Sequence, residues 1–146
     1  MEFCPAFWDW LIEANQKGTV ASIAEVRAEL LAKKDELSQW VANHGNFFLW
    51  SDDRVHETAW RLSQKKLWGL YGRDVVDRFM NSADYWLISH ALAYGYVVVT
   101  QEVPANTKKK VKIPNICKEF NVPWVNTFQM LRNENPKFVL KRELEF

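Results

Sequence analysis

Three carboxylic acids in this sequence are spaced so that they could act on one substrate. Asp84 opens a predicted helix that leads into the predicted strand 96–100, and Glu102 follows that strand almost directly. A helix that leads into a strand runs antiparallel to it, so the start of this helix and the end of this strand lie at one edge of the sheet. Glu29, on the flank of the apolar face of another predicted helix, could join them. Clustered carboxylates repel one another, so they either take up protons or hold a cation.

Carboxylate oxygens of this kind favour Mg²⁺ or Mn²⁺. A metal ion held by acids, with no nearby set of Cys and His, suits phosphodiester hydrolysis, in which it activates water and neutralises phosphate charge. Each acid also has an ordinary structural interpretation. Asp84 could be a helix N-cap, Glu102 a surface loop residue and Glu29 a solvated helix residue. Spacing alone leaves both interpretations open.

A cluster of lysines lies just beyond Glu102 on the same predicted edge. It consists of Lys108, Lys109, Lys110 and Lys112. Residues 1–103 carry 14 acidic and 10 basic side chains, whereas residues 104–146 carry 4 acidic and 9 basic ones. Cations beside carboxylates are what an RNA-cleaving site needs, because the cations hold the nucleic acid backbone. The alternative is a mobile loop that only makes the surface more soluble.

The predicted elements alternate between helix and strand, most clearly in the last third of the chain. The β-branched run 96–100 is typical of a strand covered on both faces, as in a parallel sheet. We therefore predict an α/β fold with parallel strands. Local signals mark several helix starts: a capping box between Ser22 and Glu25, and caps at Asp52 and Thr127. Gly95 marks the end of the helix that precedes strand 96–100.

Length and composition limit the possible classes of protein. The 146 residues predict one domain, residues 1–146, and 48% apolar residues with 14% aromatic residues exclude a disordered chain. No apolar run is long enough to span a membrane and the start lacks a signal peptide, so we expect a cytoplasmic protein. The two cysteines suggest no disulfide framework, and the three histidines lack the spacing of a zinc site.

Several segments resemble the PIN-domain nucleases. Ser22-Ile-Ala-Glu-Val-Arg-Ala-Glu29-Leu-Leu resembles the second acidic motif of that family. Ala83-Asp84-Tyr-Trp-Leu-Ile-Ser-His-Ala-Leu-Ala-Tyr-Gly-Tyr-Val-Val-Val-Thr100-Gln-Glu102 resembles the third motif, the following strand and the fourth acid. The lysine segment, the run Val-Pro-Trp-Val-Asn-Thr-Phe-Gln-Met-Leu and the opening Phe-Cys-Pro-Ala-Phe-Trp-Asp-Trp-Leu are similar to one bacterial PIN-like subfamily, long known only as a domain of unknown function.

The resemblance, which extends to about residue 135, implies a PIN-like three-layer α/β/α fold with a short, mostly parallel sheet. It also implies a Mg²⁺- or Mn²⁺-dependent endoribonuclease, like the VapC-like toxins of toxin–antitoxin pairs, with an antitoxin protein as partner and a possible homodimer. Glu29, Asp84 and Glu102 would then be the catalytic metal ligands, and Thr100 would support the site. RNA contacts by the lysines are our own inference.

One motif of the PIN family has no counterpart here. The family begins with a strand that ends in an Asp motif, whose Asp is a principal metal ligand, and residues 1–6 cannot replace it. That strand would lie between the second strand and the strand 96–100, so its absence would leave backbone groups unpaired. Upstream residues could carry it, another chain could supply it, or the protein could be an inactive relative. The alternative function is therefore a PIN-like protein that binds RNA or an antitoxin without cutting.

Overall fold

The computed structural model describes residues 5–132 and 138–140, which form eight α-helices and five short β-strands. The helices are α1 (Pro5–Gln16), α2 (Ala24–Ala32), α3 (Glu36–Asn43), α4 (Asp53–Ser63), α5 (Arg73–Met80), α6 (Ala83–Tyr94), α7 (Ile113–Glu119) and α8 (Thr127–Arg132). The strands are β1 (Val20–Ile23), β2 (Phe48–Leu49), β3 (Val97–Val99), β4 (Trp124–Val125) and β5 (Phe138–Leu140). Within these described residues, no helix is long and apolar enough to cross a membrane.

All five strands form one sheet in the order β2-β1-β5-β3-β4, and every neighbouring pair is parallel. The predicted α/β fold with a parallel sheet is therefore confirmed. Parallel strands place all their carboxyl ends at one edge of the sheet. The segments that follow β1, β2 and β3 consequently start from this edge, which we call the carboxyl edge.

The middle of the sheet is filled by a strand that the sequence did not predict. β5 pairs with β1 on one side, where Val20 lies opposite Phe138, and with β3 on the other, where Val99 lies opposite Leu140. This is the position that the resemblance assigns to the missing first strand. The expectation that backbone groups would remain unpaired there is wrong, because the chain itself supplies a strand. β5 contains no acidic residue, so it does not restore the missing Asp.

Helix α6 is the most deeply buried helix and forms the centre of the core. It packs against α4 and α2 and also touches β1 and β3. Leu87, Ile88 and Ala91 are among its fully buried side chains. The helix ends at Gly95, whose φ of 73° lies in the left-handed region, as predicted for a glycine C-cap. The core thus fixes the first turn of α6 at the carboxyl edge.

Two of the predicted helix caps are wrong. Ser22 lies inside β1 and is buried, and α2 starts at Ala24, so no capping box forms with Glu25. The pairing of β1 with its neighbours outweighs this local signal. At the start of α8, Asn126 rather than Thr127 is the capping residue. Its side chain accepts a 2.9 Å hydrogen bond from the Gln129 amide.

The cap at Asp52 is confirmed, since its Oδ1 accepts a 2.9 Å hydrogen bond from the Val55 amide at the start of α4. Asp84, by contrast, is not a cap. Helix α6 begins at Ala83, so Asp84 is its second residue. The simplest structural interpretation of Asp84 is thereby removed.

Candidate functional site

The first turn of α6 brings two of the predicted acids to the carboxyl edge. Asp84 is only 8% exposed, although it is an acid. Oε2 of Glu29, in the second turn of α2, accepts a 3.1 Å hydrogen bond from the Ala83 amide. The N-terminus of a helix carries partial positive charge, which stabilises carboxylates placed beside it. Glu29 and Asp84 therefore both lie at the N-terminus of α6.

The third acid, Glu102, lies at the same edge of the sheet, in the loop that follows β3. The Thr100 hydroxyl, just past the end of β3, accepts a 3.1 Å hydrogen bond from the Glu102 amide. Oε1 of Glu102 accepts a 3.1 Å hydrogen bond from the amide of Ile113, and Oε2 lies 3.9 Å from Nζ of Lys110. Glu102 thus joins the end of β3 to the start of α7, and the buried Thr100 orients it.

A cavity of about 180 Å³ opens beside Asp84. Two cationic side chains, Arg78 of α5 and Lys110 of the lysine loop, line it together with Asp84 and Ser82. Apolar side chains of α5 and Val111 form the rest of its wall. The cavity thus combines one buried carboxylate with two cationic side chains. Such a combination suits a ligand that carries an anionic group, which the cations would bind, beside a polar atom within reach of the carboxylate. We call this the Asp84 cavity.

Arg78 lines the cavity although no pattern in the sequence indicated it as a site residue. Its position in α5 places it one turn after Asp74, at a distance of 3.8 Å between Nη2 and the Asp74 carboxylate. That spacing is typical of an exposed ion pair on a helix surface. Only the packing of α5 beside α6 shows that Arg78 also borders the Asp84 cavity, so no local signal could have found it.

The lysine loop divides into members with different positions. Lys110 lines the Asp84 cavity and faces Glu102. Lys108 lies over the ring of Tyr71, with Nζ 5.1 Å from the ring centroid. Lys109 is exposed, and Lys112 directly precedes α7. The structure therefore places one of the four predicted RNA contacts, Lys110, at the acids.

The acids do not by themselves form a metal centre. Within residues 5–132 and 138–140, no three Asp, Glu, His or Cys side chains are grouped closely enough to hold a metal ion. The physical reason lies in their present partners, since Glu29 accepts from Ala83 while Glu102 accepts from Ile113 and faces Lys110. In this arrangement the three acids are therefore not grouped as the predicted three-carboxylate ligand set. Mg²⁺ is commonly held by one or two carboxylates together with substrate phosphates, and we derive no catalytic step through a metal ion.

A buried cysteine also lies near this edge but is not suited to chemistry. Cys117 in α7 is fully buried, and burial, with a smaller effect of the Glu102 charge, raises the pKa of its thiol to about 12. A thiol with such a pKa remains protonated near neutral pH, and the thiolate is the reactive form. Cys117 is a core residue, as the lack of any cysteine motif suggested.

Comparisons with known proteins give one match. A family model described as "Domain of unknown function (DUF4411)" matches residues 1–138. No curated protein and no solved structure matches the chain significantly.

Proposed function

The chain belongs to the family described as a domain of unknown function (DUF4411), and from its geometry we propose that it is a PIN-like endoribonuclease that requires Mg²⁺ or Mn²⁺. The observation that carries the proposal is the Asp84 cavity, which the buried Asp84 lines together with Arg78 and Lys110. Arg and Lys side chains bind phosphate groups. Carboxylates bind metal cations and accept protons next to the phosphodiester bond that is cleaved.

The position of the cavity also supports this proposal. Ligands of open parallel α/β sheets bind beyond the carboxyl ends of the strands. The Asp84 cavity lies at this edge, where α6 begins and where the loop that follows β3 carries the lysines. A single-stranded nucleic acid could follow this basic loop, because cationic surfaces attract the phosphate backbone without reading its sequence.

A second candidate is a PIN-like protein that binds RNA or a protein partner without cutting. The arrangement of Glu102 favours it, since its carboxylate already has Ile113 and Lys110 as partners. Among residues 5–132 and 138–140, no three Asp, Glu, His or Cys side chains are grouped as metal ligands, which points the same way. With the nuclease we propose the role of a toxin that is silenced by an antitoxin protein and acts in the cytoplasm as a monomer or a homodimer. The alternative is a protein that binds RNA or an antitoxin without cutting.

One experiment separates the two candidates. The chain is incubated with end-labelled single-stranded RNA and Mn²⁺ or Mg²⁺, with and without EDTA. The Asp84→Asn variant removes one negative charge from the cavity and keeps the size of the side chain. The matched control is Asp9→Asn, which makes the same change on an exposed face of α1. Circular dichroism of each variant shows whether it is folded.

The nuclease proposal expects cleavage that needs the cation, is lost in Asp84→Asn and persists in Asp9→Asn. RNA binding that is indifferent to EDTA, without cleavage, would replace it by the binding protein. If the folded chain neither cleaves nor binds RNA, the nuclease and the RNA-binding form of the second candidate both fail.

A further inference from the structure

A second, larger pocket lies on another side of helix α6. It has a volume of about 450 Å³ and is bordered by Trp50, Trp86, His56, Glu25 and Ser51, with two small alanines of α2. Trp86 comes two positions after Asp84 in α6, and two positions turn a helix by about 200°. The two side chains therefore leave α6 in nearly opposite directions, and this pocket, which we call the Trp50 groove, is separate from the Asp84 cavity.

The aromatic walls of the groove are unusually open to solvent. Trp50, directly after β2, is 80% exposed, although an indole gains much free energy from burial. Trp86 is half-buried and packs edge-on against His56, with ring centroids 5.3 Å apart. An exposed indole beside a second indole offers two aromatic surfaces to a ligand. Aromatic surfaces of this kind bind cations as well as apolar groups.

The polar side of the groove is an incompletely paired carboxylate. Oε1 of Glu25 accepts a 3.2 Å hydrogen bond from the Ser51 hydroxyl. Oε2 of Glu25 is shielded from solvent and has no hydrogen-bond partner. Among residues 5–132 and 138–140, no Lys or Arg forms an ion pair with Glu25. A shielded carboxylate oxygen without a partner is costly, and a cationic donor that paired with this carboxylate from the groove would offset that cost.

His90, the other partner of the Ser51 hydroxyl, does not supply a positive charge that could compensate Glu25. Nε2 of His90 lies 3.2 Å from the Ser51 oxygen, and His90 is only 2% exposed. The Ser51 hydroxyl has one hydrogen, which it donates to Glu25, so His90 must donate to Ser51. Burial lowers the pKa of His90, which keeps the ring neutral near pH 7. The carboxylate of Glu25 is thus held in place by neutral groups.

The surrounding charges favour a cationic ligand over a nucleic acid. Segment 50–57, which contributes Trp50, Ser51 and His56 to the groove, carries three acids, Asp52, Asp53 and Glu57, against one basic residue, Arg54. Glu57 is paired with Arg61, and Arg54 lies over the Tyr94 ring, 4.9 Å from its centroid. A net negative charge in this segment repels phosphates and attracts cations.

A guanidinium group matches this set of features. It is planar, stacks on indoles and donates paired hydrogen bonds to a carboxylate. We infer that the Trp50 groove binds an arginine side chain of a partner polypeptide, which stacks on Trp50 or Trp86 and pairs with the carboxylate of Glu25. This inference does not depend on whether the chain cleaves RNA.

The test measures ligand binding from the NMR signals of Trp50 and Trp86. The full chain is labelled with 5-fluorotryptophan, and the ¹⁹F signals of Trp50 and Trp86 are assigned from Trp→Phe variants. N-acetyl-arginine amide is titrated up to its solubility limit, in parallel with N-acetyl-citrulline amide, which has nearly the same shape without the charge. Cytidine monophosphate provides the nucleic acid comparison.

We expect saturable shifts of both signals with the arginine compound and none with the citrulline compound. Glu25→Gln should weaken binding about tenfold or more, because a charge-assisted hydrogen bond is lost. Trp50→Ala should weaken it about threefold or more, as judged from the Trp86 signal. Its matched control, Trp60→Ala, changes an indole of α4 that is 65% exposed and outside the groove, so it should leave the affinity unchanged.

Three results would overturn the inference. They are the absence of a saturable shift with the arginine compound, equal binding of the citrulline compound, and unchanged affinity in a folded Glu25→Gln variant. Binding of cytidine monophosphate in place of the arginine compound would assign the groove to nucleotides instead.

Discussion

Oε2 of Glu29 accepts a hydrogen bond from the amide of Ala83, which joins the second turn of α2 to the first residue of α6. The first amides of a helix have no partner within the helix, so this carboxylate caps α6 from a distant part of the chain. The same contact places Glu29 beside Asp84. One hydrogen bond therefore contributes both to the fold and to the arrangement of the candidate site.

The cap suggests a first prediction about stability. Glu29→Ala should lower the free energy of unfolding by about 1–2 kcal/mol, the usual cost of losing a helix cap. Glu29→Gln should cost less, because an amide oxygen can still accept the hydrogen bond. Urea unfolding of both variants measures the difference. Glu13→Ala, which changes an exposed acid of α1, serves as the control and should cost about 0.5 kcal/mol or less. Equal losses in Glu29→Ala and Glu13→Ala would contradict the capping role.

His90 predicts a specific dependence of stability on pH. Burial lowers its pKa in the folded protein from 6.5 to about 4, an effect that the charge of Asp52 partly offsets. Because the unfolded chain binds the proton more readily, stability is complete above pH 6.5 and falls as the pH decreases toward 4. The loss reaches about 3 kcal/mol at most.

Urea unfolding at several pH values between 7 and 4 tests this effect. The folded His90→Gln variant should lose less stability over that interval than the parent chain, since it lacks the titrating ring. The exposed His56 provides a matched change, and His56→Gln should keep most of the loss, because the charge of His56 has a smaller effect on the His90 pKa than burial or Asp52. A parent chain and a His90→Gln variant with identical pH profiles would show that His90 does not titrate in this way.

Cys117 should not react in the folded protein. Burial holds its pKa near 12, so almost no thiolate is present and no reagent can reach the sulfur. In a Cys4→Ser background, where it is the remaining thiol, Ellman's reagent at mildly alkaline pH should release no colour from the native protein. It should report one thiol per chain after addition of a denaturant. Rapid reaction of the native chain would mean that α7 opens readily.

The lysine loop predicts unequal contributions to RNA binding. Lys110 lines the Asp84 cavity, whereas Lys109 is exposed on the same loop and lines neither of the two pockets described above. Lys110→Ala should weaken RNA binding more than Lys109→Ala and should reduce the salt dependence by about one unit of slope. Fluorescence anisotropy with a labelled RNA at several salt concentrations measures both quantities. Equal effects of the two substitutions would argue against the cavity as the phosphate site.

The position of β5 predicts a strong effect of backbone disruption. Val139 lies opposite Ala21 of β1 and Val98 of β3, in the middle of the sheet. Proline there removes a backbone donor and should destabilise the fold by about 3 kcal/mol or more. Val103→Pro makes the same change in an exposed segment outside the helices and strands and should have little effect. Thermal unfolding followed by circular dichroism compares the two, and equal melting temperatures would contradict a central β5.

The features that sequence predicted well are those set by neighbouring residues. The cap at Asp52, the left-handed Gly95 and the buried run of β3 all follow from local chemistry. The capping box at Ser22 failed because strand pairing decides the conformation there. β5 was missed because a three-residue strand has too little pattern, and its place is decided by partners far away in the chain.

The two pockets show the same limit. Asp84 and Glu102 could be placed at one edge from the directions of α6 and β3, but the pairing of Glu102 with Lys110 depends on how the lysine loop folds back. Glu25, Ser51 and His90 come from three different elements, and no spacing in the sequence connects them. Sequence therefore located the edge, and tertiary packing determined which side chains meet there.

The order of the strands along the chain has a consequence for biosynthesis. A ribosome delivers β1 and β2 first, then β3 and β4, and β5 after all of them. Until β5 emerges, the two pairs are half-sheets with no backbone bonds between them, and each leaves an apolar edge open to other chains. Among the strands that the structure describes, β5 is translated after the other four and unites the sheet, so the exposed edges of the two pairs favour aggregation of the nascent chain until β5 emerges.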